Sequence, residues 1–182
     1  MNYDIRLATR DDVDAIEEVM RRSLDVIGRT TYDDAQIASA TRHTARVDVQ
    51  MIDDGTYYVA VIDGRVVGCG GWSRRAKLFR GSADMEAGAQ MRALDPASEA
   101  ARVRAMFVDP EFARRGIGRA ILERSENAAR EEGFRKTVLM ALLSGQAMYE
   151  ACGYRIIEKQ EFDTPDGVRM DSTLMEKVLL VK

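Results

Sequence analysis

Residues 108–122 read VDPEFARRGIGRAIL, and the fold turns on how this stretch is read. A strand-like segment enters it and a helical pattern leaves it, with Gly116 and Gly118 in between, flanked by Arg114, Arg115 and Arg119. The first N–H groups of a helix have no intrahelical acceptor and sit at the positive end of the helix dipole, so such a turn binds an anion. The glycines let a ligand approach the backbone closely, and arginine's planar fork matches phosphate oxygens. Two other phosphate-binding motifs are excluded. A dinucleotide fingerprint needs a third glycine where Ile121 stands, and a Walker loop needs Gly-Lys-Ser/Thr. Two readings remain, a turn that can hold a pyrophosphate and an ordinary strand-to-helix turn with solvated arginines.

Working outward, residues 102–108 alternate Val103, Ala105 and Phe107 against Arg102, Arg104 and Met106, which predicts a strand, and residues 118–132 follow as a helix capped by Gly133. Upstream, the β-branched runs 57–62 and 65–73 flank Asp63-Gly64, a strong hairpin signal. Residues 5–9 read as a first strand. Thr9 and Asp12 then open a helix whose apolar face is Val13, Ile16, Met20, Leu24 and Ile27. A second helix is expected from Asp33 to about Ile52. Downstream come a strand at 137–143, a short helix at 144–152, a strand at 154–162, a turn at Thr164-Pro165-Asp166-Gly167 and a last strand at 169–179. Residues 76–100 lose all periodicity and read as a long excursion, either a functional lid or a disordered insertion.

The chain has 182 residues, 46% hydrophobic and 31% charged, with a net charge of -3. That fits one globular domain over residues 1–182, and the absence of a basic excess argues against a nucleic-acid binder. No run approaches a membrane span, and the N-terminal residues carry no signal-like apolar stretch, so a cytoplasmic protein is expected. Cys69 and Cys152 show neither disulfide nor zinc spacing, are expected to be buried thiols, and leave no metal site to predict. His43 is assigned a structural or solvated role. Trp72 and Tyr58, on the hairpin, are candidates for lining a site but more simply core residues.

The order of these elements, together with Val108-Asp109-Pro110, Arg114 to Arg119 and Tyr149-Glu150-Ala151-Cys152-Gly153-Tyr154, resembles the GNAT superfamily of N-acetyltransferases over nearly the whole chain. The resemblance implies an α/β (α+β) fold with a single mixed, mostly antiparallel sheet of about seven strands and about four helices on both faces. It implies acetyl-CoA as co-substrate and an amine acceptor, small-molecule or protein, attacked directly at the thioester. Met106, Phe107 and Val108 would hold the pantetheine arm where two parallel strands splay apart. Arg114, Arg115, Gly116, Ile117, Gly118 and Arg119 would hold the pyrophosphate. Tyr149 would be the general acid for the leaving thiolate, a transfer uphill by about 2 kcal/mol for unperturbed groups. Three positions depart from the family pattern. Ala113 stands at the first position of the glycine motif, Leu142 replaces a common asparagine, and Arg102 occupies the place of the glutamate base of histone-acetylating members. The base stays unassigned among Asp84, Glu86, Glu99 and water. A homodimer is compatible with this reading. A non-catalytic acyl-CoA sensor or an interaction protein on the same fold is the alternative.

Overall fold

The computed structural model describes residues 2–78 and 92–179. Seven strands form one sheet in the order β1-β2-β3-β4-β5-β7-β6: β1 (Asp4–Leu7), β2 (Tyr57–Ile62), β3 (Arg65–Ser73), β4 (Ala101–Val108), β5 (Lys136–Leu142), β6 (Arg155–Asp163) and β7 (Arg169–Val178). Five α-helices lie among the described residues: α1 (Val13–Val26), α2 (Asp34–His43), α3 (Val49–Asp53), α4 (Ile117–Glu131) and α5 (Gln146–Ala151). All neighbouring strands pair antiparallel except β4 and β5. This is the mixed, mostly antiparallel sheet that the resemblance implies.

Local chemistry explains the elements. Asp63 and Gly64 both take positive φ, 49° and 78°, the backbone that a two-residue hairpin turn needs to match strand twist. At the start of α1, Asp12 accepts hydrogen bonds from Arg6 at 2.7 and 2.8 Å and from the Thr9 backbone N–H at 2.8 Å. Those bonds, the Arg6 pair foremost, hold its carboxyl down at about 2. Ile16, Val19, Met20 and Leu24 of α1 then pack with Ile37 of α2 and Met51 of α3 on one sheet face. Ile117, Ile121 and Ala129 of α4 pack on the other face, beside Trp72 and Tyr58. Both aromatics are therefore core residues, and Trp72 meets Phe134 edge-on at 5.8 Å.

Two expectations are corrected. The single helix expected from Asp33 to about Ile52 is two helices, because Asp48 adopts an extended backbone and its side chain caps α3 by accepting from Gln50 N–H. The strict alternation along β4 also fails. Opposite Gly70 the register shifts, with Cys69 facing Phe107 and Gly71 facing Arg104, and Ala105 takes φ 54°. The extra residue is a bulge. Val103, Met106 and Val108 consequently share the α4 side, while Ala105 and Phe107 pack on the α1 side. Bulk on β3 would not fit beside this bulge: a Cβ on Gly70 would lie 2.2 Å from Met106 Sδ, and one on Gly71 would lie 2.2 Å from the Thr56 carbonyl oxygen.

The ends of the 76–100 excursion are pinned, with Ala76 N–H donating to Arg92 O and Leu94 N–H to Arg74 O. Its middle, residues 79–91 with Asp84 and Glu86, lies outside the described residues, and so does most of the candidate lid.

Candidate active site

β4 and β5 pair only at Ala101–Thr137 and Arg102–Val138, then part. The unpaired edges open a cleft of about 950 Å3, which runs from the N-terminus of α4 and α5 on one side to α1, Asp48 and Arg104 on the other. Residues 103–108 line it along one wall and Leu139, Met140 and Leu142 along the other. Tyr32 braces the far end, donating to Asp171 O at 2.5 Å and accepting from Leu143 N–H at 2.9 Å.

At the mouth, Asp109 is buried, pairs with Arg65 at 2.5 Å and accepts from Glu111 N–H, which fixes the short turn leading out of β4. Arg114 and Gly116 follow with φ 61° and 82°. A Cβ on Gly116 would meet no atom within 4 Å, so glycine is required there by the backbone conformation alone. The N–H groups of Ile117, Gly118 and Arg119 begin α4 and lack intrahelical acceptors. Arg114, Gly116, Ile117, Gly118 and Arg119 all line the cleft. Arg115 instead stacks on the Phe112 ring at 5.4 Å. Met106, Phe107 and Val108 line the cleft as well. The described residues thus bring the glycine turn, the free strand edge and Tyr149 to one cavity.

Tyr149 lies on α5, is 8% exposed, and meets the Tyr154 ring edge-on at 5.7 Å. Its hydroxyl makes no hydrogen bond with the described residues. Burial, reinforced by nearby Cys152, pushes the phenol above its ordinary range, so it stays protonated at neutral pH. Gly145 leaves room for the ring, since a Cβ there would lie 3.3 Å from Tyr149 Cε2.

Of the base candidates, Glu99 does not line the cleft; Arg92 first and then the Asp95 N–H hold its carboxyl at about 2. Asp48 is the cleft's carboxylate among the described residues, and neither it nor Arg104 stood out in the sequence. Burial alone would raise Asp48, but Arg104 and Lys77 outweigh it and leave the carboxyl below its usual range. It is a weak base at neutral pH. His43 sits 3.2 Å from Asp166 and does not line this cleft.

The two thiols differ. Burial pushes Cys69 up to about 12, although Tyr57 and the Phe107 backbone oppose the shift. Cys152 is half-buried and lines the cleft, which corrects the expectation of two buried thiols. N-ethylmaleimide should therefore add once to the native protein, at Cys152, and twice in denaturant, read by mass spectrometry. Equal labelling of both cysteines in the native protein would contradict the packing of Cys69.

Comparison with known proteins agrees with this architecture. The coenzyme A complex of the PaiA N-acetyltransferase from Thermoplasma acidophilum superposes with a TM-score of 0.69, at 17% identity over 98% of this chain and 99% of that one. The acetyl-CoA complex of YncA, a putative acetyltransferase from Salmonella typhimurium, superposes with a TM-score of 0.61, at 20% identity over 100% and 96%. At these identities the likeness is one of fold. An uncharacterized N-acetyltransferase of Chlorobaculum tepidum is 36% identical over 73 residues, 40% of this chain and 44% of that protein, so the match spans less than half the relative's length. Residues 16–154, most of the chain and the whole run from α1 through the glycine turn to Tyr149, match the profile of the Acetyltransferase (GNAT) family, and the chain belongs to that family.

Proposed function

We propose that this chain, acting as one domain, transfers the acetyl group of acetyl-CoA to an amine by direct attack on the thioester. The observation that carries the reading is the parting of β4 from β5, which leaves free backbone edges beside the α4 N-terminus and Tyr149 around one cleft. The two superposed neighbours, held with coenzyme A and acetyl-CoA, support it.

The residues present fit the co-substrate. The N–H groups that open α4, with Arg114 and Arg119, suit a pyrophosphate, and the absence of side-chain bulk at Gly116 leaves the backbone accessible. The free β4 edge at Met106, Phe107 and Val108 offers amide groups to the pantetheine arm. Holding amine and thioester together makes attack effectively intramolecular, an advantage that reaches about 7–11 kcal/mol in favourable cases. Tyr149 then donates its proton toward the sulfur as the C–S bond breaks. A buried phenol is a reluctant acid, so it acts first as a hydrogen-bond donor to the developing thiolate, with proton transfer completing late. The amine's proton leaves through water, since Asp48 is tied to two cations. Two unpaired thiols are in keeping with a cytoplasmic setting.

Release of free coenzyme A thiol, followed with and without a panel of amines, tests the reaction. Release that depends on an amine and yields its acetyl derivative is expected. Binding of acetyl-CoA with no transfer to any amine would favour a non-catalytic acyl-CoA sensor.

A further inference from the structure

The acceptor end of the cleft carries a charge imbalance. Arg104 is buried, with 7% of its side chain exposed, and its Nη2 donates to Asp48 Oδ2 at 2.9 Å. Lys77 Nζ lies 3.1 Å from the same oxygen. Asp48 Oδ1 is occupied by the Gln50 N–H that it caps. Arg75, two residues before Lys77, is already matched by two hydrogen bonds of 2.7 Å to Asp54. Two cations therefore share one carboxylate, and no second carboxylate lines the cleft among the described residues.

Arg104 is also incompletely used. Its Nε is buried without a partner, and its Nη1 makes no hydrogen bond with the described residues. A buried guanidinium with unused donors is costly unless something supplies the acceptors. The other cations nearby are matched, Arg46 by Glu17 and Arg42 by Asp166, so the excess of positive charge is confined to Arg104 and Lys77. A polyamine, which would bring several cations here, is disfavoured by the same field.

We infer that the acceptor is a small amine that also bears a carboxylate, and that Arg104 binds this carboxylate. The carboxylate supplies the missing negative charge opposite Arg104 and Lys77, and in doing so orients the amine along the cleft toward the thioester. Arg104 starts from the β4 bulge, so the residue that reads the acceptor and the strand edge offered to the pantetheine arm belong to one rigid segment. This rests on the proposed acetyl transfer.

The test compares kcat/KM for free amino acids with that for their carboxamides and for spermidine, using the full chain and acetyl-CoA. The carboxamide's amine is the less basic and a larger share of it is free base at neutral pH, so a preference for the acid runs against the supply of reactive amine. The acids are expected to lead by about 10- to 100-fold, the scale of a charge-assisted pair. Arg104→Gln should erase most of that ratio, chiefly through KM, while Arg104→Lys restores part of it. The wild-type comparison stands even if a variant folds poorly. Carboxamides or spermidine acetylated as fast as the acids, or acetyl-CoA bound with no amino acid acetylated, would overturn the inference. Failure to bind acetyl-CoA at all would instead overturn the reading beneath it.

Discussion

Tyr149→Phe is expected to lower kcat and kcat/KM together by about 100- to 10,000-fold, while the melting temperature and acetyl-CoA affinity stay near wild type. The ring is what holds α5 against Tyr154 and fills the space left by Gly145, and the substitution keeps it. The hydroxyl has no partner among the described residues, so its loss orphans no buried donor or acceptor. What disappears is a proton donor on the cleft wall. Because burial raises the phenol, the wild-type enzyme should keep its activity to at least about pH 10, the ordinary tyrosine value, and lose it only as pH rises past the raised one. Steady-state and single-turnover rates would check this. A mutant with full kcat, where chemistry is shown to limit the rate, would make Tyr149 a packing residue and leave solvent as the donor.

The second large effect is expected at the glycine turn. In Gly116→Val a β-branched residue must occupy φ near 82°, a backbone that valine strongly resists, so the turn reshapes and the α4 N–H groups lose their aim. In Gly118→Val the damage is steric: its Cβ would stand 3.0 Å from Met148 Sδ and 3.5 Å from Val108 Cγ2, wedging α4 away from α5. A hydrogen bond to a charged group contributes about 1.5–3 kcal/mol, so misaligning even one donor weakens acetyl-CoA binding by about 10- to 100-fold. Titration calorimetry on both variants reads this directly. Wild-type affinity in both would place the pyrophosphate elsewhere.

Much of the fold was legible because its signals are local. Asp63-Gly64 specifies the hairpin through two positive φ values, Gly133 ends α4, and the glycine turn shows itself by its residues. The helix break at Thr44 to Asp48 was hidden because both halves share apolar periodicity, and only the capping carboxylate of Asp48 separates them. The β4 bulge was hidden for a different reason. It depends on a register slip against β3 that no single strand announces, and it reverses the sidedness of β4 from Ala105 onward, putting Met106 with Val103 and Ala105 with Phe107. The cofactor end of the candidate site therefore reads from sequence, being built from one contiguous turn. The acceptor end does not, because Asp48, Lys77 and Arg104 are brought together only by the folded sheet.

The measurement that bears most directly on the cleft's assignment is calorimetric titration of the full chain with acetyl-CoA, paired with thermal melting. Saturable binding at one site per chain is predicted, with a melting temperature that climbs with ligand concentration, as mass action requires of a ligand bound by the native state alone. Neither heat nor a thermal shift at concentrations far above micromolar would contradict the assignment of the β4–β5 cleft to acetyl-CoA.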